Sequence, residues 1–270
     1  MKRKPRKIPQ NPTRKIIKKT RSTPVVSKPK KPMSLARIDP RGTNQERIFR
    51  EYNMGKNLLI HGYAGTGKSL LALYLALDNV MNSDEFDKIL IIRSCVPARA
   101  QGFLPGGPEE KDQVFEVPYE GLFATLFPGK TSPSPYKTLK GLGIVEFAST
   151  SYLRGQTIDN TIVIADEFQD FNDGEINTVV TRIGESSKLI ICGDYRQDDL
   201  KYLRETSCFE NTLHKVKKMP SFSIINMNNI NDICRNGLIK EWILADEAVN
   251  QDRQNSELPS FINRFGIVNA

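Results

Sequence analysis

From residue 57 onward, short runs of Ile, Leu and Val recur along the chain, separated by longer stretches in which apolar and polar residues mix. Asn57–His61, Lys88–Arg93, Gly143–Ala148, Thr161–Asp166, Lys188–Gly193 and Phe222–Met227 are apolar nearly throughout, the pattern of strands covered on both faces. Ser69–Met81, Asp173–Gly184 and Asn229–Glu247 carry helical spacing. Strand and helix in alternation predict an α/β fold: a doubly wound, mostly parallel sheet with crossover helices on both faces. Between Ala98 and Gly141 Pro and Gly are frequent, which predicts a long insertion with a short helix around Tyr119–Leu126. The aromatic residues Phe103, Phe115, Tyr119, Phe123 and Phe127 in it have two readings, stacking on bases or packing the insertion onto the domain, and packing is the commoner use. Trp242, beside Leu238 and Ile239 on the last helical pattern, reads as a core or subunit contact.

The first strand runs into Gly62-Tyr63-Ala64-Gly65-Thr66-Gly67-Lys68-Ser69 and then, from Leu70, into a helix. This is G-x-x-x-x-G-K-S in the strand–loop–helix setting that the motif requires. Glycines let backbone N–H groups turn around an anion, the helix N-terminus adds favourable partial charge, Lys68 is expected at the β/γ phosphates of ATP, and Ser69 at Mg²⁺. A glycine turn with a solvent lysine would look similar only outside that setting. The strand Thr161–Asp166 ends in Asp166 and Glu167 at what should be the sheet's carboxyl edge, where open α/β sheets bind ligands. Asp166 is expected to hold Mg²⁺, directly or through water, and Glu167 to orient and deprotonate the attacking water. A further strand ends in Asp194-Tyr-Arg-Gln197. Alone this is an ordinary polar turn; beside the other two motifs, Asp194 and Gln197 become candidates for the γ-phosphate or its water.

Charge adds a second region. Residues 1–36 hold thirteen of the 39 Lys and Arg and none of the 31 Asp and Glu, so the remainder carries −5 against +8 for the whole chain. So basic and core-poor a segment is expected to be a disordered tail. It reads equally as a nucleic-acid arm acting through counterion release or as a solubilising arm. The expected division is tail 1–36, ATPase domain 37–250 and C-terminal tail 251–270. Cys95, Cys192, Cys208 and Cys234 lack metal-ligand spacing and read as small core residues of a reducing compartment. No run approaches the ~18 apolar residues of a membrane span, and no apolar stretch follows the basic N-terminus as in a signal peptide. A soluble, cytoplasmic protein is expected.

His61–Ser69, Ala165–Asp170 (A-D-E-F-Q-D), Thr181–Gly184 with Ser187-Lys188, and Gly193-Asp194-x-x-Gln197-x-Asp199-Leu200 together resemble the PhoH family of phosphate-starvation-inducible ATPases, in order and in spacing. The likeness extends to G-F-L-P-G-G-P-E-E-K within Arg99–Lys111 and to Tyr152-Leu-Arg-Gly-Gln-Thr157, and covers roughly residues 41–247. It implies a single RecA-like P-loop domain akin to the motor core of superfamily 1 helicases, with ATP hydrolysis and a link to RNA or DNA. The leading reading built on it is an ATPase coupled to single-stranded nucleic acid and acting as a homo-oligomer. Asn44-Gln45 is similar to the family's T-x-N-Q element, which would place Gln45 at the adenine edge. Arg154 falls in the R-G segment, where it would serve nucleic acid or nucleotide. Asp232-Ile-Cys-Arg235 resembles its D-I-V-R element, making Arg235 a candidate γ-phosphate contact from a neighbouring subunit, a contact within its own subunit, or a plain salt bridge. The family continues with His and Pro where this chain has Asn236 and Gly237. A slow nucleotide-dependent switch that recruits nucleic acid or an acidic partner through the tail is the competing function, and Glu167 is the residue that argues for turnover. A nucleotide kinase fits the paired acids and the Gln197 turn less well.

Overall fold

The computed structural model describes residues 33–94, 108–129, 133–153, 155, 157–194, 207–235, 237–249 and 252. The six expected runs form six strands: β1 (Asn57–Gly62), β2 (Lys88–Arg93), β3 (Val145–Ser149), β4 (Thr161–Ala165), β5 (Lys188–Gly193) and β6 (Phe222–Met227). They pair in parallel in the order β3-β2-β4-β5-β1-β6. Because all point the same way, every strand delivers its C-terminal residues to one edge. There β1 opens into the glycine loop and β4 into Asp166, with β5 between them.

Side-chain alternation along these strands sorts the core into two layers. Leu58 and Ile60, Ile89 and Ile91, Ile162 and Ile164, and Ile190 and Cys192 face one layer, completed by helices α1 (Thr43–Asn53), α2 (Lys68–Asn82), α3 (Pro108–Leu126) and α4 (Pro135–Gly141). Leu59, Leu90 and Ile92, Val163 and Ala165, and Leu189 and Ile191 face the other, covered by α5 (Asp173–Arg182) and α6 (Phe209–Val216). The result is a RecA-like α/β P-loop fold with helices on both faces of the sheet.

Four expectations change. The insertion helix begins at Pro108 rather than near Tyr119 and carries Pro118 inside it, so the proline that suggested a loop is accommodated within a helix. Tyr119, Phe123 and Phe127 are buried, Phe123 against Phe127 and Tyr136, so these rings pack the insertion onto the domain; Phe103 lies outside the described residues. Asn229–Glu247 is not one helix: Asn229 caps a 3-10 turn, Ile230–Asp232, and helical structure resumes only at 237. That break leaves Trp242 74% exposed and so outside the core. It also leaves Cys234 exposed, whereas Cys192 and Cys208 are buried as expected; Cys95 is outside the described residues. No helix among the described residues is long and apolar enough to cross a membrane.

Candidate functional site

The glycine loop is held open by geometry that only glycine tolerates at its first position. Gly62 has φ +140°, and a Cβ there would stand 2.4 Å from the Met227 carbonyl group of β6. Gly65 and Gly67 also have positive φ, and Gly67 caps α2 without a side chain, leaving the helix N-terminus bare. Lys68, in the first turn of α2, bends back so that Nζ donates to the Gly62 and Tyr63 carbonyls at 2.8 Å each. Burial lowers its pKa, opposed by Asp194, Cys192, Glu167 and Asp166. Ser69 Oγ donates to Asp166 Oδ1 at 2.7 Å across 97 positions of sequence.

Asp166 is buried at the end of β4. Burial pushes its carboxyl up, Glu167 adds to this, and the Ser69 hydroxyl, Arg93 and Tyr119 favour the charged form in opposition. Its second oxygen, Oδ2, accepts from the Tyr119 hydroxyl at 2.9 Å. Glu167 sits in the left-handed region, φ 51° and ψ 46°, a strained setting for a residue with a Cβ. That turn aims its carboxylate at Gln169, whose Nε2 donates to Glu167 Oε2 at 2.8 Å. Gln169 Oε1 in turn accepts the Asp194 N–H at 2.9 Å, so one buried amide ties the acid of β4 to the end of β5. Gly193 makes room for it: a Cβ there would lie 2.6 Å from Gln169 Oε1.

A third strand of contacts closes over the loop. Gln45, buried on α1, accepts the Arg41 N–H at 2.8 Å and donates to the Thr66 carbonyl at 3.1 Å and to Cys234 Sγ at 3.2 Å. Cys234 N–H donates to the Gly65 carbonyl at 2.9 Å, and the aliphatic stem of Arg235 lies over Gly65. Asn44 reaches Asp232 at 2.8 Å, and the Tyr63 hydroxyl bonds Glu247 of the helical segment 237–249.

The site residues expected from sequence thus converge: Gln45, the loop 62–69, Asp166, Glu167, Asp194 and Arg235 share one edge of the sheet. Gln197 and Arg154 lie outside the described residues. Thr181–Gly184 with Ser187-Lys188 goes to the opposite edge, where Ser187 Oγ donates to the Ile158 carbonyl and accepts from the Thr161 N–H, bracing the entry to β4. Two contributors were not singled out as site residues, Gln169 and Tyr119. Gln169 lay inside the A-D-E-F-Q-D segment, but Tyr119 had no sequence signal beyond an aromatic on a helix.

The donor set suits a phosphorylated ligand with a hard cation. Among the described residues no three or more His, Cys, Asp or Glu gather into a cation site. The Ser69 hydroxyl and the Asp166 carboxylate are oxygen donors that would need phosphate oxygens and water to complete a shell, which is how Mg²⁺ is held beside phosphates.

The family model described as PhoH-like protein matches residues 37–266. A PhoH-like protein of Synechocystis is 33% identical over 202 residues, 74% of this chain and 59% of that protein. A PhoH-like protein of Bacillus subtilis is 34% identical over 213 residues, 76% and 62% respectively. Protein PhoH2 of Bacillus subtilis is 36% identical over 143 residues, 53% and 32%. The match spans less than two thirds of each of these relatives. Among solved structures, the Pif1 helicase of Candida albicans aligns over 72% of this chain and 41% of its own, at 16% identity and a TM-score of 0.36.

Proposed function

Because this chain belongs to the PhoH family, we propose that it binds ATP with Mg²⁺ and hydrolyses it, coupling turnover to the binding or remodelling of single-stranded RNA or DNA. The observation that carries the reading is the 2.7 Å bond between Ser69 and Asp166, which joins the glycine loop to the acid at the end of β4.

In this reading the backbone N–H groups of Gly65–Ser69 and the uncapped N-terminus of α2 bind the phosphate chain. Lys68 exchanges its two carbonyl acceptors for phosphate oxygens, and its buried position strengthens the attraction. Ser69 and Asp166 would hold Mg²⁺, which neutralises charge on the phosphates when bound. Glu167 accepts the proton of the attacking water, and Gln169 fixes the carboxylate for that step from the Asp194 side. Gln197, which lies outside the described residues, keeps the role expected for it from sequence, beside that water. We assign Arg235 to its own subunit's site, a reading supported by its stem lying over its own Gly65. Gln45 acts on the loop through Thr66; contact with an adenine edge would require it to give up one of its bonds. Homo-oligomer formation goes with the same reading, and Leu238, Trp242, Leu244 and Val249 stand exposed on segment 237–249.

The test is phosphate release from ATP with and without single-stranded RNA and DNA, beside Lys68→Ala, Glu167→Gln and a chain lacking residues 1–36. Turnover that is lost in both variants and raised by nucleic acid supports the reading, and the shortened chain then locates the strand. If ATP binds but is not hydrolysed on any nucleic acid, the protein is a nucleotide-dependent switch.

A further inference from the structure

We propose that Tyr119 is a positioning residue for Asp166, through which the insertion helix α3 sets the affinity of the divalent-cation site; this rests on the reading that Asp166 holds that cation. Tyr119 is 1% exposed, and its hydroxyl donates to Asp166 Oδ2 at 2.9 Å while Ser69 holds Oδ1 at 2.7 Å. One donor on each oxygen fixes the plane of the carboxylate. An ionised carboxylate has about four acceptor sites, so each oxygen keeps capacity for a cation. The phenol cannot swing away: its ring lies 5.9 Å from that of Phe147 on β3, and α3 is packed against both α4 and β3. Ser69 comes from the glycine loop and Asp166 from the sheet, so Tyr119 is the only described donor to Asp166 that the insertion supplies.

A tyrosine that merely fills the core would affect stability and nothing else. A positioning tyrosine affects the cation. Hydrogen-bond partners of metal-ligating groups typically change metal affinity by about 10–100-fold when removed.

Tyr119→Phe in the full chain keeps the ring and removes the donor. The measurement is Mg²⁺ titration of the binding of a fluorescent ATP analogue, with thermal unfolding of the same samples. The expected result is an increase of about 10-fold in the Mg²⁺ concentration at half-saturation, with nucleotide affinity in the absence of Mg²⁺ unchanged. Superimposed Mg²⁺ curves, or an equal loss of affinity with and without Mg²⁺, would overturn the proposal. Asp166→Asn runs in parallel. If it raises the Mg²⁺ requirement and Tyr119→Phe does not, the role of Tyr119 fails alone; if neither does, the cation reading of Asp166 fails and takes this inference with it. Should Tyr119→Phe not fold, 3-fluorotyrosine incorporated at 119 retains ring and hydroxyl, and its fluorine resonance is expected to move on adding Mg²⁺ to the nucleotide-bound protein. A resonance that stays put overturns the proposal.

Discussion

Lys68 and Lys188 stand at opposite edges of the same sheet, and burial lowers the pKa of both. What surrounds them differs. Lys188, at the start of β5, donates to the Tyr52 carbonyl at 3.1 Å and lies 3.9 Å from the centre of the Tyr52 ring, with Phe86 beyond. Its charge is satisfied by aromatic faces and a carbonyl, and it closes the amino edge. Lys68 has two loop carbonyls and faces Asp194, Glu167 and Asp166, of which Glu167 and Asp166 also face each other. One edge is finished; the other holds a lysine, a strained Glu167 and a raised Asp166 that a phosphate and a cation would settle together.

The comparison breaks most sharply at Glu167. Glu167→Gln is expected to lower ATP turnover by about 10²–10⁴-fold, the usual contribution of a positioned general base, with ATP binding retained. Single-turnover phosphate release beside equilibrium binding reads both. Gln169→Ala should follow, losing about 10²-fold in kcat with little change in KM, because the acid remains but is misplaced. At the other edge, Lys188→Ala is expected to cost about 2 kcal/mol in stability through the lost cation–π and stem contacts. Turnover per folded molecule should be unchanged, as denaturant unfolding and an active-site titration would show. If Lys188→Ala impaired catalysis without destabilising the fold, the division between edges would be wrong.

The smallest effect concerns His61, at the carboxyl edge. Its pKa is pushed down to about 4, by burial first and then by Lys68 and Lys217, and its Nδ1 is buried without a hydrogen-bond partner among the described residues. The unfolded chain takes up a proton near pH 6.5, while the folded state does not until about 4. Stability from this group is therefore complete above about pH 6.5 and is lost as pH falls towards 4. His61→Leu should flatten that part of the melting-temperature profile, a difference from wild type of about 2–4 °C at pH 5.

Much of this was legible without coordinates. All six strands announced themselves as short runs rich in apolar residues, most plainly the inner strands β1, β2, β4 and β5, which are covered on both faces. The edge strands β3 and β6 are only partly covered and carry polar positions such as Glu146 and Asn226. The glycine loop was legible because its spacing is dictated by a phosphate. Local rules did less well where a breaker was tolerated, as with Pro118 inside α3. They also failed where helical spacing ran through a turn, as at Asn229–Glu247, since the capped turn there is stabilised by long-range partners: Asn44 on Asp232 and Gly65 on Cys234.

The sequence by itself determined the strand set, the loop and the acids that end β4, because each obeys a short-range periodicity or spacing. Only the tertiary structure decided that β5 lies between the loop and Asp166, that Gln169 spans from Glu167 to Asp194, that Arg235 rests on its own Gly65, and that Tyr119 reaches Asp166. Apart from the bond between Gln169 and Glu167, these relations join residues distant in sequence. They follow from strand order and helix docking, which set the position of each side chain at the edge and which no local pattern encodes.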